Sequence, residues 1–158
     1  MNTKFLFFIA VLLMACNADY TPKPKAFIKL GLPDKVYEKL DTDCPFSFEV
    51  PVYSHLNKKD NSCLMDLDFP QQNGVLYISY LTLENNLKAH IQQSRKLAYK
   101  HNVIVDAIRE QQYVNDSLKV YGMLYDYDGL SATATQFYLT DSVNHFFRGA
   151  LYFNTEIN

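Results

Sequence analysis

Apolar and polar residues alternate along several short stretches of the chain, a pattern typical of strands with one buried face. Residues 64–69 alternate most cleanly, with Asp66 and Asp68 on one face and apolar side chains on the other. Asn73-Gly74 is a strong turn signal, so residues 75–81 are expected to complete a hairpin. Further strands are predicted at residues 26–30, 45–50, 118–127, 132–139 and 145–153.

A helical repeat of apolar residues follows the hairpin. Residues 82–101 are the predicted helix, because apolar side chains recur there at intervals of three and four, with Thr82 as its N-terminal cap. Basic residues gather toward its C-terminal end, where they suit the helix dipole. Residues 103–113 are ambiguous, and we expect a strand in their second half.

The order of these elements predicts an α+β fold, in which an antiparallel sheet carries one long helix packed on a face. Strands come first, then the helix, then an antiparallel meander. The order resembles that of the PsbP/Mog1-like fold, an analogy that carries no function.

The first fifteen residues predict an export signal. Lys4 precedes an apolar run over residues 5–14, which is too short to span a bilayer. The run ends in Leu13-Met14-Ala15-Cys16, the pattern of a bacterial lipobox. We expect cleavage after Ala15, diacylglycerol on the Cys16 thiol, and an acyl chain such as palmitate on the new amino group. The alternative is an ordinary cleavable signal followed by an accidental cysteine.

Residues 16–25 are predicted to be a lipidated tether, because Pro22 and Pro24 favour an extended chain. Residues 26–158 are then a single domain outside the cytoplasm. Asn17, at the position after the lipidated cysteine, favours transfer to the outer membrane. The predicted location is therefore the periplasmic face of the outer membrane, in the cell envelope.

Composition supports a folded, β-rich domain and argues against nucleic-acid binding. Apolar residues make up 48% of the chain, and 12 Tyr and 11 Phe occur with no Trp. The formal net charge is −2, and removal of Lys4 with the signal makes it more negative. Nucleic acid requires a strongly basic face, which this balance does not supply.

Once Cys16 carries lipid, Cys44 and Cys63 are the remaining cysteines. An even pair in an exported chain predicts a disulfide. Two unpaired thiols are the alternative. A metal site is less favoured, since His55 is the one histidine near them and zinc would lack a fourth ligand. We expect neither a metal nor a cofactor.

Catalytic signatures are missing from the sequence, so no catalytic residue is predicted and the chain is not expected to be an enzyme. It carries no zinc-protease, nucleophile-elbow, phosphate-loop or dinucleotide motif. Each histidine (His55, His90, His101 and His145) is better explained by a structural role. Residues 126–129 resemble half of a calcium loop, but a hairpin turn explains them better. Asp66 and Asp68 are best explained as the solvated face of their strand.

Two tripeptides fit the Asp-Ser-apolar pattern of O-glycosylated exported proteins in the Bacteroidota. They are centred on Ser117 and Ser142, and both lie in predicted turns. A glycan on a turn would not disturb a core, so both serines are candidate modification sites.

Six sequence runs, taken in order, resemble the gliding-motility lipoprotein GldD family of the Bacteroidota. They are residues 20–24 (YTPKP), 44–49 (CPFSFE), 94–101 (SRKLAYKH), 120–122 (VYG), 136–142 (QFYLTDS) and 147–153 (FRGALYF). The resemblance implies a membrane-anchored, non-catalytic accessory of the gliding machinery that is linked to type IX secretion. It implies other machinery proteins as partners and no known small-molecule substrate. Family members usually continue beyond the last strand into a helical segment, so it also implies that this chain, ending at Asn158, is short.

Three functional hypotheses follow. The first is an assembly subunit that binds partners through the aromatic strands 121–127 or 145–153, although most of those aromatics are better explained as core. The second is a small periplasmic ligand-binding module with a pocket between helix and sheet. The third is an enzyme that uses His101 or His145 with a nearby aspartate.

Overall fold

The computed structural model describes Gly31 and residues 33–59, 63–100, 105–129 and 131–154. The predicted signal, the tether, the strand at residues 26–30 and His101 lie outside these ranges. The chain divides into two units, Met1–Leu32 and Pro33–Asn158, and the second holds the elements below. None of its described helices is long and apolar enough to cross a membrane.

Seven antiparallel strands form one sheet, and one helix packs on a face of it, which confirms the α+β prediction. The strand order is β3-β4-β5-β9-β8-β7-β6, and β1 and β2 form a separate pair. The strands are β1 (Tyr37–Lys39), β2 (Glu49–Pro51), β3 (His55–Lys58), β4 (Met65–Phe69), β5 (Gly74–Thr82), β6 (Ala107–Asn115), β7 (Val120–Asp128), β8 (Thr133–Thr140) and β9 (His145–Phe153). The α-helix α1 spans Leu87–Tyr99, and a 3-10 helix spans Pro70–Gln72.

The predicted hairpin is present as β4 and β5, with Met65 opposite Ile78. Its turn differs from the prediction, because the 3-10 helix and Asn73 make the reversal and Gly74 already belongs to β5. Asn73 adopts the left-handed conformation with φ 51°, which asparagine tolerates better than most residues. The hairpin prediction is therefore confirmed, with a longer connection.

The predicted helix is present, but it begins at Leu87 and the predicted cap at Thr82 is wrong. Thr82 is the last residue of β5 and lies opposite His145. The next backbone N–H, that of Leu83, donates to the Asn144 carbonyl at 2.8 Å and keeps the chain beside β9. Asn85 then takes a left-handed conformation with φ 59°, and the helix starts only after that break.

The predicted strand at residues 45–50 is mostly irregular, since only Glu49–Pro51 pairs, with β1. Residues 45–48 lie outside β2, although the Phe48 carbonyl accepts a hydrogen bond from the Leu40 N–H at 2.9 Å, and Phe46 and Phe48 pack toward the core. The short strands β1 and β3 were not predicted. Their residues are all exposed, so they lack the apolar alternation that marks a half-buried strand.

The sheet has an apolar cluster on each face. The helix-side cluster comprises Leu83, Ala98, Tyr125, Tyr138 and Phe146. On the opposite face, residues from the β1–β2 segment pack against β4 and β5, in a cluster of Leu40, Val50, Met65, Leu67 and Ile78. Each large side chain that is fully buried contributes about 1.5–3 kcal/mol, so both layers stabilise the sheet.

Candidate functional site: an aromatic groove

An open groove of about 520 Å³ lies on the sheet face opposite α1. Residues 45–51 form its roof, and its floor comes from β4, β5, β8 and β9. We call it the aromatic groove, since phenylalanines dominate both surfaces. They are Phe46 and Phe48 in the roof and Phe69, Phe137 and Phe147 in the floor.

The roof rests on Phe147 of β9. The ring centres of Phe46 and Phe147 lie 5.0 Å apart, and those of Phe48 and Phe147 lie 5.6 Å apart, both edge to face. Phe137, also in the floor, stacks on Phe147 with the ring centres 6.1 Å apart. Edge-to-face and offset contacts are the favoured aromatic geometries, so the roof has a defined position over the floor.

The apolar surface continues past the groove toward the edge strand β6. A second hollow of about 360 Å³ shares Val120, Phe137 and Leu139 with the groove. It reaches Gln111 and Tyr113 on β6. Leu139 lies opposite Gly122 of β7, and a Cβ on Gly122 would clash with the Tyr138 carbonyl oxygen and meet a Leu139 methyl at 2.7 Å.

Two turns form the mouth of the aromatic groove. Leu118, in the turn between β6 and β7, is 71% exposed, and Lys119 follows it in the lining. Asp141 lies in the β8–β9 turn, where its Oδ1 accepts hydrogen bonds from the backbone N–H groups of Val143, Asn144 and His145 at 2.8–3.0 Å. The mouth therefore carries one large apolar side chain and charges of both signs.

The Asp141 carboxyl has a lowered pKa. Partial burial acts to raise that pKa, but the three backbone N–H groups and the nearby His145 together outweigh it and stabilise the charged form. The charge is used to hold the turn, in which Ser142 has a φ of 69°. Asp141 is thus a structural anion at the groove mouth.

His145 lines the groove and is fixed by a tyrosine. Its Nδ1 lies 2.7 Å from the Tyr80 hydroxyl, a hydrogen bond, and the two ring centres are 5.9 Å apart. The contact of His145 with Asp141 runs through the His145 backbone N–H, at 2.8 Å. His145 and Asp141, a pair of the kind named in the enzyme hypothesis, therefore lie close together. The imidazole, however, makes no hydrogen bond to the Asp141 carboxylate.

The predicted disulfide between Cys44 and Cys63 is confirmed, with the Cα atoms 5.8 Å apart. It ties the chain just before the roof to the chain just before β4. Lys58 of β3 and Asp43 reinforce the same junction with an ion pair at 3.7 Å. The bond thus anchors one end of the groove roof to the sheet.

The remaining predicted residues are scattered. His55 lies on exposed β3, and His90 of α1 packs on Phe146 with ring centres 5.4 Å apart. Asp66 pairs with Lys59 at 2.9 Å, and Asp68 accepts a hydrogen bond from Asn57. In the ranges that the structure describes, no group of three or more metal-ligating side chains comes together.

Asp128, from the half-calcium pattern, forms an ion pair with Arg109 at 2.9 Å. Gly129 follows it with φ 105°, as a hairpin turn requires. Ser117 and Ser142 are both exposed at turns. Glycosylation of either serine stays a prediction.

The aromatic groove was not predicted. The sequence argument placed a pocket between helix and sheet, whereas the groove lies on the opposite face. The signal that pointed to it was the spacing of Phe46 and Phe48 beside Cys44, which we interpreted as a paired strand. Of the aromatic strands proposed for binding, Tyr125 and Phe146 are core residues, and Phe147 faces the groove.

Comparison with known proteins identifies the family. The model of the family described as gliding motility lipoprotein GldD matches residues 17–158. Neither a curated protein nor a solved structure matches the chain, so the PsbP/Mog1-like order stays a prediction. A lipid-anchored place in the cell envelope accords with that description. Because the match spans nearly all of the sequence, the chain belongs to the gliding motility lipoprotein GldD family.

Proposed function

We propose that this chain is a non-catalytic accessory subunit of the gliding motility machinery, in the part linked to type IX secretion. In this proposal, lipid on Cys16 holds it on the periplasmic face of the outer membrane, and the aromatic groove binds another protein of the machinery. The groove is the observation that carries the binding role, since it presents aromatic surface beside a charged mouth.

The partner surface that fits this groove is a short segment with two or three large apolar side chains. Phe46, Phe137 and Phe147 offer ring surface, and aromatic contacts carry much of the energy at protein interfaces. The polar groups stand at the mouth, where Lys119 can bind a backbone carbonyl of a peptide. This arrangement matches the apolar centre and polar rim of protein interfaces.

The non-catalytic part of the proposal rests on how the polar groups are used. Tyr80 holds one nitrogen of the His145 ring, and the Asp141 carboxylate faces backbone amides. General acid–base work needs a side chain aimed at the reacting group. In the described part of the groove, the imidazole and the carboxylate are committed to neighbours of their own chain.

Site-specific photo-crosslinking in the native host tests this function. A benzoylphenylalanine at Leu118 would lie at the groove mouth, and the same probe at Tyr77 would lie on the helix-side face of the sheet. Both positions are well exposed, at 71% and 45%. We expect the Leu118 probe to capture an identified subunit of the gliding or secretion machinery and the Tyr77 probe to capture much less of it. Equal capture at both positions, or capture of unrelated proteins, would contradict the proposal.

A second candidate function is a small-molecule binding module. The groove volume of about 520 Å³ lies in the range of small-molecule pockets, about 300–1,000 Å³. Mass spectrometry of organic extracts from the purified lipoprotein separates the two functions. A stoichiometric apolar compound, lost when Phe147 is changed to Ala, would favour ligand binding over partner binding.

A further inference from the structure

Among the described residues, the edge strand β6 is long and regular and pairs with a strand on one side only. Its nine pairs with β7 run from Ala107–Asp128 to Asn115–Val120 without a register shift. In the described ranges no other strand pairs with it, since it ends the strand order of the sheet. Alternate backbone N–H and C=O groups therefore point away from the sheet over about 30 Å.

Proteins usually protect such edges, and in the described part of the chain this protection is found at the opposite edge of the sheet. At the opposite end of the sheet, β3 has four residues, includes Lys58 and is followed by Lys59. Short length and lysines are standard means of preventing edge-to-edge pairing. β6 has nine residues with no lysine, no proline and no bulge, so its edge is open to another strand.

The two charges of β6 are already neutralised within the chain. Arg109 pairs with Asp128 at 2.9 Å. Glu110 accepts a hydrogen bond from the Tyr99 hydroxyl at 2.8 Å and lies 3.8 Å from Arg95. Like charges that lie directly opposite each other on paired strands are destabilising. With Gln111 at the centre of an antiparallel pairing, neither charge of β6 faces a like charge of the second copy, so the charges do not oppose pairing in that register.

We propose that β6 pairs with β6 of a second copy of this chain, antiparallel, about a two-fold axis through Gln111. The two sheets then join into one continuous sheet, with the helix of each copy on the same face. A self-complementary edge is what a two-fold dimer requires.

We compare three pairing registers of β6, centred on Glu110, Gln111 and Gln112. Only in the register centred on Gln111 do the facing residues suit each other. Ile108 faces Val114 of the second copy on the helix side, and Arg109 faces the Tyr113 ring on the groove side. Both are favourable cross-strand pairs.

Neighbouring registers are worse. Centring the pairing on Glu110 places two carboxylates opposite each other, which is destabilising. Centring it on Gln112 places Glu110 opposite Val114 and leaves Ile108 facing Asp116, beyond the strand. The register centred on Gln111 is the one that pairs all nine residues of β6.

The apolar surface supports the same partner. The hollow that extends the aromatic groove ends at Gln111 and Tyr113, and Tyr113 is 47% exposed. Pairing about Gln111 brings the two hollows together at the axis. The exposed apolar surface beside the β6 edge of each copy is then covered by the same surface of the other copy.

Cysteine crosslinking of the full-length lipoprotein in membranes tests the dimer and its register. In the proposed pairing the two Gln111 Cα atoms lie about 4.5–5.5 Å apart, within disulfide range. The two Gln112 Cα atoms lie about 8 Å apart, outside that range. We expect Gln111→Cys to give a reducible band at twice the chain mass and Gln112→Cys, the matched control, to give several-fold less.

The outcomes separate as follows. No dimer band from Gln111→Cys, equal bands from both variants, or a mixed disulfide with a different protein would overturn the proposal.

Gln111→Lys covers the case in which the cysteine variant misfolds, because it places two ammonium groups opposite each other. Sedimentation of the detergent-solubilised lipoprotein should show about tenfold weaker dimerisation for Gln111→Lys than for Gln111→Thr. A wild-type chain that sediments as a monomer would also overturn it.

Discussion

The ring of Phe137 lies directly over Gly149. A Cβ placed on Gly149 would come within 2.4 Å of that ring, closer than any real contact. Moving the ring aside would disturb its stacking on Phe147, whose ring centre lies 6.1 Å away. The missing side chain at position 149 therefore allows Phe137 to form the floor of the aromatic groove.

Gly149→Ala should displace the Phe137 ring and destabilise the fold. Overpacking of this kind costs about 1–3 kcal/mol, which exceeds the small gain from replacing glycine in the unfolded chain. Denaturant unfolding measures the loss. Gly31→Ala is the control, because an added Cβ there meets nothing within 4 Å, and it should change stability by less than about 0.5 kcal/mol. Equal stability of Gly149→Ala and wild type would contradict the packing described for Phe137.

Replacing both Cys44 and Cys63 by serine should lower the free energy of unfolding by about 3 kcal/mol, since the disulfide closes a loop in the unfolded chain. The loss should be accompanied by faster hydrogen exchange in residues 40–50, because one anchor of the groove roof is gone. Thiol-reduced wild type serves as the control and should behave like the serine variant. Unchanged exchange in the roof would show that aromatic packing alone holds it.

Asp141 should make the fold sensitive to acid. Its folded-state pKa is lowered, so the carboxylate stabilises the fold above the unfolded value of about 3.9. That contribution disappears as the pH falls through the lowered folded pKa. Asp141→Asn keeps an acceptor for the three N–H groups but cannot titrate, so it should lose less stability than wild type between neutral and acidic pH.

Asp141→Ala separates the charge from the hydrogen bonds. It removes the acceptor as well, so it should be less stable than Asp141→Asn already at neutral pH. Unfolding free energies measured across the acidic range provide the comparison. Parallel pH profiles for wild type and Asp141→Asn would contradict the assigned role of the charge.

Tyr127 should make the fold sensitive to alkali. Burial raises the pKa of its phenol to about 12, against about 10 in an unfolded chain. Its stabilising contribution is thus present below the unfolded pKa and is lost as the pH rises toward the folded one. Phenolate absorbance during a pH titration should show a late-ionising class that is smaller in Tyr127→Phe.

The same variant tests a hydrogen bond at the end of the helix. The Tyr127 hydroxyl donates to the Ala98 carbonyl at 3.0 Å. Its loss should cost about 1 kcal/mol at neutral pH. A Tyr127→Phe chain as stable as wild type, with an unchanged titration, would contradict both assignments.

The elements with strong periodicity could be predicted from the sequence. β9 lies at the predicted bounds, β7 and β8 lie close to theirs, and the β4–β5 hairpin and α1 are present. The alternation of Asp66 and Asp68 with buried neighbours located β4 correctly, because each residue sees one face of the sheet. The disulfide followed from the number of cysteines and the predicted compartment.

The groove could not be predicted, since it depends on contacts between distant segments. Phe46 and Phe48 alternate as a strand would, yet they pack onto Phe147, about one hundred positions later in the chain. The helix start at Thr82 failed for the same reason, because the bond from the Leu83 N–H to Asn144 overrides the local capping signal. Local sequence patterns do not reveal which distant residues form these contacts.

The pairing of β5 with β9 determines when the fold can be completed. Its nine residue pairs join residues 74–82 to residues 145–153, at the centre of the sheet. A chain that emerges from a translocation channel N-terminus first therefore holds the β3–β5 half and the β6–β8 half as separate pieces. The halves can join only after Phe153 has emerged, so folding waits for almost the whole chain, and contacts between such distant residues form slowly.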